Sequence, residues 1–336
     1  MAVNCYNNIS LFHISNENKH TQKRIIFVKI ILMRLAVFDL GTNVFNLLIA
    51  WVSKDKCDIK RVVKVGSHIG KGGFFNRELT QEAIDTSMEA IGKMCEAIKQ
   101  EGGVDLTKAF ATSAFRDASN GAEFARLIGD KYGIDVEIIS GEREAELIYK
   151  GVRESVLLYE EKVLILDIGG GSNEFIIADR DKIYWKESFP LGVVRMKEII
   201  SPSNPISADE IHAYKDYMDN SLQPLFEQMA IYKPTFMIGC SGSFDTLREL
   251  IWPHDDGTLP ALELPLDKFL ELNDTLIRST SEERHNMKRM SPMRVDYMVL
   301  GSIFVEHIIK KLEIKELYQS SYSLKEGYMS EVASSL

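Results

Sequence analysis

The chain has 336 residues and a formal net charge of −9, with 45% hydrophobic and 26% charged residues. This composition is ordinary for a globular protein, and the length suits two domains of typical size. The negative charge argues against broad nucleic-acid binding, although local basic residues and backbone amides can still bind a small anion. The four cysteines are far apart and form no C-x-x-C pair, which disfavours a zinc site and favours a reducing cytoplasm.

Residues 1–32 include an apolar run, IIFVKIIL (25–32), that superficially resembles the start of a signal peptide. Lys29 interrupts this run and no small-residue cleavage site follows it, so we interpret residues 1–32 as an extension that adds little to the fold. We therefore expect the folded part to start at Met33. No apolar run has the length of a membrane span, and we expect no membrane association.

Two stretches share one pattern, in which an apolar strand, an aspartate and a glycine-containing turn precede a second apolar strand. They are LAVFDLGTNVFNLLIA (35–50) and VLILDIGGGSNEFIIA (163–178). Asp39 and Asp167 end the first strand of each and are about one domain length apart. The repeat predicts two α/β domains that face each other, each with a β-hairpin that has an aspartate at its tip.

The turn glycines have a simple explanation, since glycine adopts the positive φ of tight hairpin turns. Three consecutive glycines at 169–171 exceed that need, so we favour turns in which backbone N–H groups closely approach a phosphate. A third apolar strand runs into a glycine-rich turn at 239–243, and the helical pattern that follows predicts an anion site at a helix N-terminus. The sequence has no P-loop motif.

Helical periodicity predicts helices over 81–100, 141–152 and 294–312, and strand-like runs at 108–112, 136–140 and 235–239 alternate with them. Glu144 lies on the apolar stripe of the helix over 141–152. Such a carboxylate either interacts favourably with the positive end of the helix dipole or acts as a general base in an interdomain cleft. The spacing alone leaves both readings open.

Six motifs occur in an order typical of one family. They are ATSAFRDASNG (111–121), SGEREAELIYKGV (140–152), LDIGGGSNEF (166–175), SFPLGVVRM (188–196), GCSGSF (239–244) and SPMRVDYM (291–298), and SYSLKEG (321–327) follows them. From about Met33 to about Gly327 the chain resembles the exopolyphosphatase/guanosine pentaphosphate phosphatase family of the actin-like ATPase superfamily, in its short two-domain form.

The resemblance implies an α/β fold with two actin-like (ribonuclease H-like) domains around a central cleft. We expect these domains at 33–153 and 154–336, with a C-terminal helix that can pack back on the first. The resemblance also implies that Glu144 is the catalytic glutamate and that Glu174 acts through the metal or the attacking water. Mg²⁺ or Mn²⁺ is the expected cofactor, and its predicted ligands are Asp39, Asp167 and Glu174.

The predicted phosphate-binding residues come from the glycine turns and, for the two arginines, from the resemblance. They are Gly41, Thr42, Asn43, Arg116, Gly169, Gly170, Gly171, Ser172, Arg195, Gly239, Ser241 and Gly242. Three departures from the family pattern leave the fine substrate preference open, because Thr42 replaces the usual serine, Asn173 the usual threonine and Asn46 a position that is often histidine.

We therefore predict a cytoplasmic phosphohydrolase that releases terminal orthophosphate from inorganic polyphosphate by metal-assisted attack of water. Guanosine pentaphosphate is the alternative substrate, and the resemblance also admits a homodimer. An actin-like small-molecule kinase would share both hairpins, but no hydroxyl-acceptor loop follows the first one. A nucleotide-switched binding protein would have a longer second domain. Phosphate release without an acceptor distinguishes these classes.

Overall fold

Two mixed β-sheets and the helices around them form the computed structural model, which describes residues 32–70, 77–156, 158 and 160–336. The predicted extension lies outside the described residues except for Leu32. In the described part of the chain, none of the helices combines the length and the hydropathy that crossing a bilayer requires.

The first sheet has the strand order β3-β2-β1-β4-β5. Its strands are β1 (Met33–Leu40), β2 (Val44–Ser53), β3 (Lys56–Gly66), β4 (Leu106–Ala111) and β5 (Val136–Ile138). The first three pair antiparallel, and β4 and β5 join them in parallel. The helices along this part of the chain are α1 (Gln81–Gln100), α2 (Ser113–Asp117), α3 (Gly121–Tyr132) and α4 (Gly141–Ser155).

The second sheet repeats this arrangement in the order β10-β11-β9-β6-β7-β8. Its strands are β6 (Val163–Ile168), β7 (Asn173–Ala178), β8 (Ile183–Phe189), β9 (Phe236–Cys240), β10 (Ala261–Glu263) and β11 (Glu316–Ser320). Again three antiparallel strands are followed by two parallel ones, here β9 and β11. The remaining helices are α5 (Val193–Ile200), α6 (Ala208–Ser221), α7 (Gln223–Tyr232), α8 (Ser241–Ile251), α9 (Leu266–Arg278), α10 (Ser281–His285), α11 (Met298–Lys311) and α12 (Leu324–Ser335).

The repeat predicted from the two aspartate-containing stretches is confirmed. Asp39 pairs with Asn46 across the β1–β2 hairpin, and Asp167 pairs with Glu174 across the β6–β7 hairpin. β1 and β6 are interior strands, each with an antiparallel partner on one side and a parallel partner on the other. Each hairpin tip therefore extends from the middle of its sheet.

Two predicted helices differ from the structure at their first residues. The helix predicted over 294–312 begins only at Met298, because residues 292–297 form turns that bring the guanidinium of Arg294 over Gly242. The third glycine turn is shorter than predicted, since α8 already begins at Ser241. Gly242 therefore lies in the first turn of α8, where it leaves room for Arg294.

A shared hydrophobic core joins the two sheets through α4 and α12. It contains Val37 of the first sheet, Ile165 of the second, Ile148 of α4 and Val332 of α12. The two helices run antiparallel and touch backbone to backbone, because a Cβ atom at Gly151 would lie 1.9 Å from the carbonyl oxygen of Ser323. The side chains of α4 and α12 are thus held in fixed relative positions by one closely packed helix pair.

Candidate active site

A cleft of about 820 Å³ lies between the two hairpin tips and the first turns of α4, α8 and α12. Most of the predicted site residues line it, and they come from four separate parts of the chain. The lining residues among them are Asp39, Gly41, Thr42, Asn43, Glu144, Asp167, Gly169, Gly170, Gly171, Ser172, Ser241 and Gly242. Arg116, Glu174, Arg195 and Gly239 do not line the cleft.

The glycines of the second hairpin turn are required by contact with the first hairpin. A Cβ atom at Gly170 would lie 2.9 Å from Cβ of Thr42, and one at Gly171 would lie 2.8 Å from Oγ1 of Thr42 and 2.5 Å from Oγ of Ser113 in α2. The simple explanation from positive φ does not apply, since neither of these glycines has a positive φ. The absent side chains allow the two turns to pack against each other and keep their backbone at the cleft surface.

Glu144 lies in the first turn of α4, where Ser140 caps the helix and accepts a hydrogen bond from the backbone N–H of Arg143. Its side chain is buried, with 8% of the residue exposed, and it lines the cleft. Oε2 accepts a hydrogen bond of 3.2 Å from Nη1 of Arg116. Burial and the nearby carboxylates raise the pKa of Glu144 well above its usual value, although Arg116 lowers it. A raised pKa makes this carboxylate a stronger proton acceptor.

Glu174 lies behind the glycine turn, with only 1% of the residue exposed. Its Oε1 accepts hydrogen bonds of 2.7 Å from the hydroxyls of Ser172 and Ser188. Burial and the neighbouring Asp167 raise the pKa of Glu174 to about 7, against the effect of these two hydroxyls. The structure thus places this carboxylate below the cleft surface, where it contributes charge to the site without lining it.

The two hairpin aspartates both line the cleft but have different surroundings. Oδ2 of Asp39 accepts a hydrogen bond from Asn46, and burial raises the pKa of Asp39 to about 6, with a further increase from Asp167. Oδ2 of Asp167 accepts hydrogen bonds from the hydroxyls of Ser241 (2.6 Å) and Ser323 (2.7 Å). Asp167 therefore links the second hairpin to the first turns of α8 and α12.

The two arginines predicted to bind phosphate are engaged with other protein groups. Besides Glu144, Arg116 donates to the carbonyl oxygen of Ile139 at 2.9 Å. Arg195 donates from Nε to the carbonyl oxygen of Gly171 at 2.8 Å and from Nη2 to the carboxylate of Asp117. Arg195 therefore connects the glycine turn of the second sheet with α2, which follows β4 of the first sheet. Arg116 fixes the position of the Glu144 carboxylate.

Gly239 is also placed away from the cleft. A Cβ atom there would lie 2.1 Å from the ring of Phe244, so this glycine accommodates an aromatic side chain of the core beneath α8. The strand before α8 thus contributes packing, and the predicted anion site begins at Ser241 and Gly242.

The cleft lining includes basic residues that were absent from the predicted set, namely Lys64, Arg248, Arg289, Arg294 and Lys325, of which the last two lie at helix starts. The guanidinium of Arg294 lies over Gly242 at the start of α8, and Lys325 lies in the first turn of α12. Both occur within motifs that carry the resemblance, SPMRVDYM and SYSLKEG. The Ser323-x-x-Glu326 capping-box pattern is a further signal, since it predicts a helix N-terminus at this point.

A hard divalent cation fits the oxygen donors of Asp39 and Asp167, because carboxylates and water are the ligands that Mg²⁺ prefers. Within the described residues, no three His, Cys, Asp or Glu side chains come close enough to hold a metal directly. Two carboxylates with water and substrate oxygens for the remaining positions are typical of magnesium sites. The predicted third ligand, Glu174, does not line the cleft, and its Oε1 accepts hydrogen bonds from Ser172 and Ser188.

Comparison with known proteins identifies a family. The model of the Ppx/GppA phosphatase family matches residues 54–336. A crystal structure of an exopolyphosphatase from Cytophaga hutchinsonii is similar, with 34% identity and a TM-score of 0.87, covering 90% of this chain and 98% of that one. This agreement confirms the predicted α/β fold with two actin-like domains around a cleft.

Two curated proteins show the same similarity at the level of sequence. Exopolyphosphatase 2 of Mycobacterium tuberculosis is 26% identical over 88% of this chain and 97% of its own length. A bifunctional 3-dehydroquinate synthase/phosphatase of Fusobacterium nucleatum is 30% identical over 82% of this chain. The match spans 43% of that longer protein.

Proposed function

The chain belongs to the Ppx/GppA phosphatase family, and we propose that it is an exopolyphosphatase that releases terminal orthophosphate from inorganic polyphosphate. The observation that carries this proposal is the buried carboxylate of Glu144, which faces the two hairpin turns across a cleft that also holds cationic side chains. The exopolyphosphatase names of the similar proteins support the same substrate.

Anion binding is supported by a second part of the cleft lining. The N-terminus of α8, at Ser241 and Gly242, lines the cleft, and a helix N-terminus favours negative charge. Arg294 lies directly over Gly242 and is buried deeply enough to lower its pKa, while Asp245 and Asp167 nearby counteract that shift. A guanidinium suits bidentate contact with phosphate oxygens.

In the proposed reaction, Glu144 orients a water molecule and accepts its proton. The water oxygen bonds to the terminal phosphorus as the bridging P–O bond breaks, and the shortened polyphosphate departs with the bonding electrons. Arg116 holds the Glu144 carboxylate through its hydrogen bond. A general base of this kind contributes roughly 10²–10⁴-fold, and the remaining acceleration comes from positioning and from neutralising charge on the phosphoryl oxygens.

Asp39 and Asp167 are the residues that would hold Mg²⁺ or Mn²⁺, with water and substrate oxygens as the other ligands. When bound, such an ion polarises the phosphoryl group and neutralises negative charge. Asn46 fixes the Asp39 carboxylate, and Ser241 and Ser323 fix that of Asp167, so both face the cleft in defined orientations. Burial is the main cause of the raised pKa of Asp39, Asp167 raises it further, and a bound cation would favour the ionised carboxylate.

Guanosine pentaphosphate is a second candidate substrate because of the loop that contributes Asp255, Asp256, Thr258 and Pro260 to the cleft lining. Arg248 lines the cleft beside this loop and pairs with Asp255 at 2.7 Å. Carboxylates, a hydroxyl and a paired guanidinium together offer acceptors and donors to the hydroxyls and amides of a nucleoside. Both substrates present a terminal phosphoanhydride to the same hairpin turns, so the chemistry at Glu144 is the same for both.

The test is a side-by-side assay of phosphate release from long-chain polyphosphate, tripolyphosphate and guanosine pentaphosphate, without any acceptor. We expect release from polyphosphate at the highest kcat/KM. A higher kcat/KM for guanosine pentaphosphate would reverse the order of the two candidates. Absence of release from all three would overturn the proposal.

We further propose a cytoplasmic location, for which the free thiols of Cys57, Cys95 and Cys240 are the support.

A further inference from the structure

Lys325 is placed between the two hairpin tips by the cap of α12. The hydroxyl of Ser323 donates to Asp167 at 2.7 Å, and the carboxylate of Glu326 accepts from the backbone N–H of Ser323 at 2.9 Å. These contacts fix the first turn of α12 against the second hairpin. Lys325 then lines the cleft with only 8% of the residue exposed.

The ammonium of Lys325 has no hydrogen-bond acceptor among the described residues. Its one ion-pair contact there is to Oε2 of Glu326 at 3.9 Å, which is beyond hydrogen-bonding distance. By contrast, Lys150 on α4 contacts Glu331 at 2.6 Å. Most of the Lys325 side chain is buried, and the N–H groups at its end are free to meet water or a ligand in the cleft.

The carboxylates around Lys325 favour its protonated form but accept no hydrogen bond from its ammonium. Burial alone would lower the pKa of Lys325, but Glu326, Asp39, Asp245 and Asp167 raise it above its usual value. Asp39 accepts from Asn46, and the Oδ2 of Asp167 accepts from two serines. A charged group with three donors directed at a cleft suits an anion with several oxygens, such as a phosphoryl group.

We propose that Lys325 is a substrate-contacting residue whose Nζ donates hydrogen bonds to the non-bridging oxygens of the terminal phosphoryl group. This proposal rests on the proposed function. Charge on these oxygens changes as the bridging P–O bond breaks, so a fixed ammonium at this position stabilises the transition state as well as the bound substrate. Glu144 and Lys325 belong to the closely packed pair of α4 and α12, which fixes the proton acceptor relative to the cation.

The first test compares Lys325→Met with the control Lys150→Met, which removes a lysine between α4 and α12 outside the cleft. With tripolyphosphate, we expect kcat/KM of Lys325→Met to fall about 10²–10³-fold, as for loss of one donor to the transition state. The Kd for inorganic phosphate, measured calorimetrically, should rise by about tenfold or more. Lys150→Met should leave both quantities within about twofold. A folded Lys325→Met protein with both quantities unchanged would overturn the proposal.

A second measurement needs no variant. The wild-type protein is acetylated with an amine-reactive reagent, with and without saturating inorganic phosphate, and modification at each lysine is quantified by mass spectrometry. Acetylation at high pH and long reaction time gives measurable modification of Lys325 without phosphate. Phosphate should lower it and leave Lys150 unaffected, and the same measurable modification of Lys325 in both samples would contradict the contact. If the wild-type protein released no phosphate from tripolyphosphate, the proposed function would fail, while protection by phosphate would still decide the role of Lys325.

Discussion

Nη1 of Arg116 donates a hydrogen bond of 3.2 Å to Oε2 of Glu144, which joins α2 to the first turn of α4. Arg116 also donates to the carbonyl oxygen of Ile139, in the segment that leads into α4. The guanidinium is therefore held at two points, and it fixes the orientation of a carboxylate that would otherwise be buried without a cationic partner. It also keeps the pKa of Glu144 from rising further.

Replacing Glu144 with glutamine should lower turnover by about two to four orders of magnitude, because the amide keeps the shape of the side chain but cannot accept a proton. Substrate binding should change little. The matched control is Glu142→Gln, which alters an exposed acid in the same first turn of α4 and perturbs the helix dipole similarly. Equal, mild effects of both substitutions in steady-state kinetics would assign the catalytic role elsewhere, with Glu174 next to test.

Replacing Gly171 with alanine should separate the two hairpin turns, since the new Cβ atom would lie 2.8 Å from Oγ1 of Thr42 in the first turn and 2.5 Å from Oγ of Ser113 in α2. We expect the free energy of unfolding to fall by about 1–3 kcal/mol. We also expect kcat/KM to fall by about tenfold or more, because small displacements of catalytic groups are costly.

The control is Gly129→Ala in α3, where the nearest atom to the new Cβ is 3.4 Å away. That substitution should stabilise the protein by about 0.5–1 kcal/mol, as expected for alanine in a helix interior. Chemical denaturation and phosphate-release kinetics measure both variants. Wild-type stability and activity in Gly171→Ala would show that the turns do not need this close contact.

Replacing Glu331 with glutamine should destabilise the contact between α12 and α4 in a pH-dependent way. Glu331 accepts hydrogen bonds of 2.7 and 2.6 Å from Arg143 and one of 2.6 Å from Lys150. Although burial opposes the shift, these partners lower the pKa of Glu331. Its stabilising contribution is therefore complete above the unfolded-state pKa of about 4.3 and is lost as the pH falls through the lower folded-state pKa.

The difference in Tm between wild type and Glu331→Gln should accordingly be largest at neutral pH and shrink below about pH 4. At pH 7 the loss should be about 1–3 kcal/mol, the range for hydrogen bonds between charged groups. Thermal unfolding from pH 3 to pH 8 provides the measurement, with Glu316→Gln as an exposed control without an ion pair among the described residues. A pH-independent difference would mean that packing, and not charge, accounts for the effect.

Phosphate release should require Mg²⁺ or Mn²⁺, because the proposed ligands are oxygen atoms only. Replacing Asp39 with asparagine should raise the Mg²⁺ concentration for half-maximal activity by about 10–100-fold. Asp256→Asn, another lining residue, should leave that concentration within about twofold, since Asp256 accepts hydrogen bonds from Thr258 in its own loop. Full activity in excess EDTA would exclude the proposed metal.

The sequence determined the features that depend on local pattern. Alternation of strands and helices predicted the α/β class, and the repeated aspartate-containing stretches predicted two equivalent hairpins. The position of Glu144 on the apolar stripe of α4 predicted a buried side chain, because residues three and four apart share one helix face. Each of these features depends on spacings of a few residues.

Only the tertiary structure decided which side chains reach the cleft. Arg195 and Glu174 were predicted at the site, yet Arg195 bridges α2 and a glycine turn, and Glu174 is buried behind that turn. Arg294 and Lys325 line the cleft instead, although they lie far from the hairpins in sequence. The position of Arg294 depends on how the turns before α11 lie over α8, and that of Lys325 on how α12 packs against α4 and the first sheet. No local periodicity encodes contacts between residues so far apart in the chain.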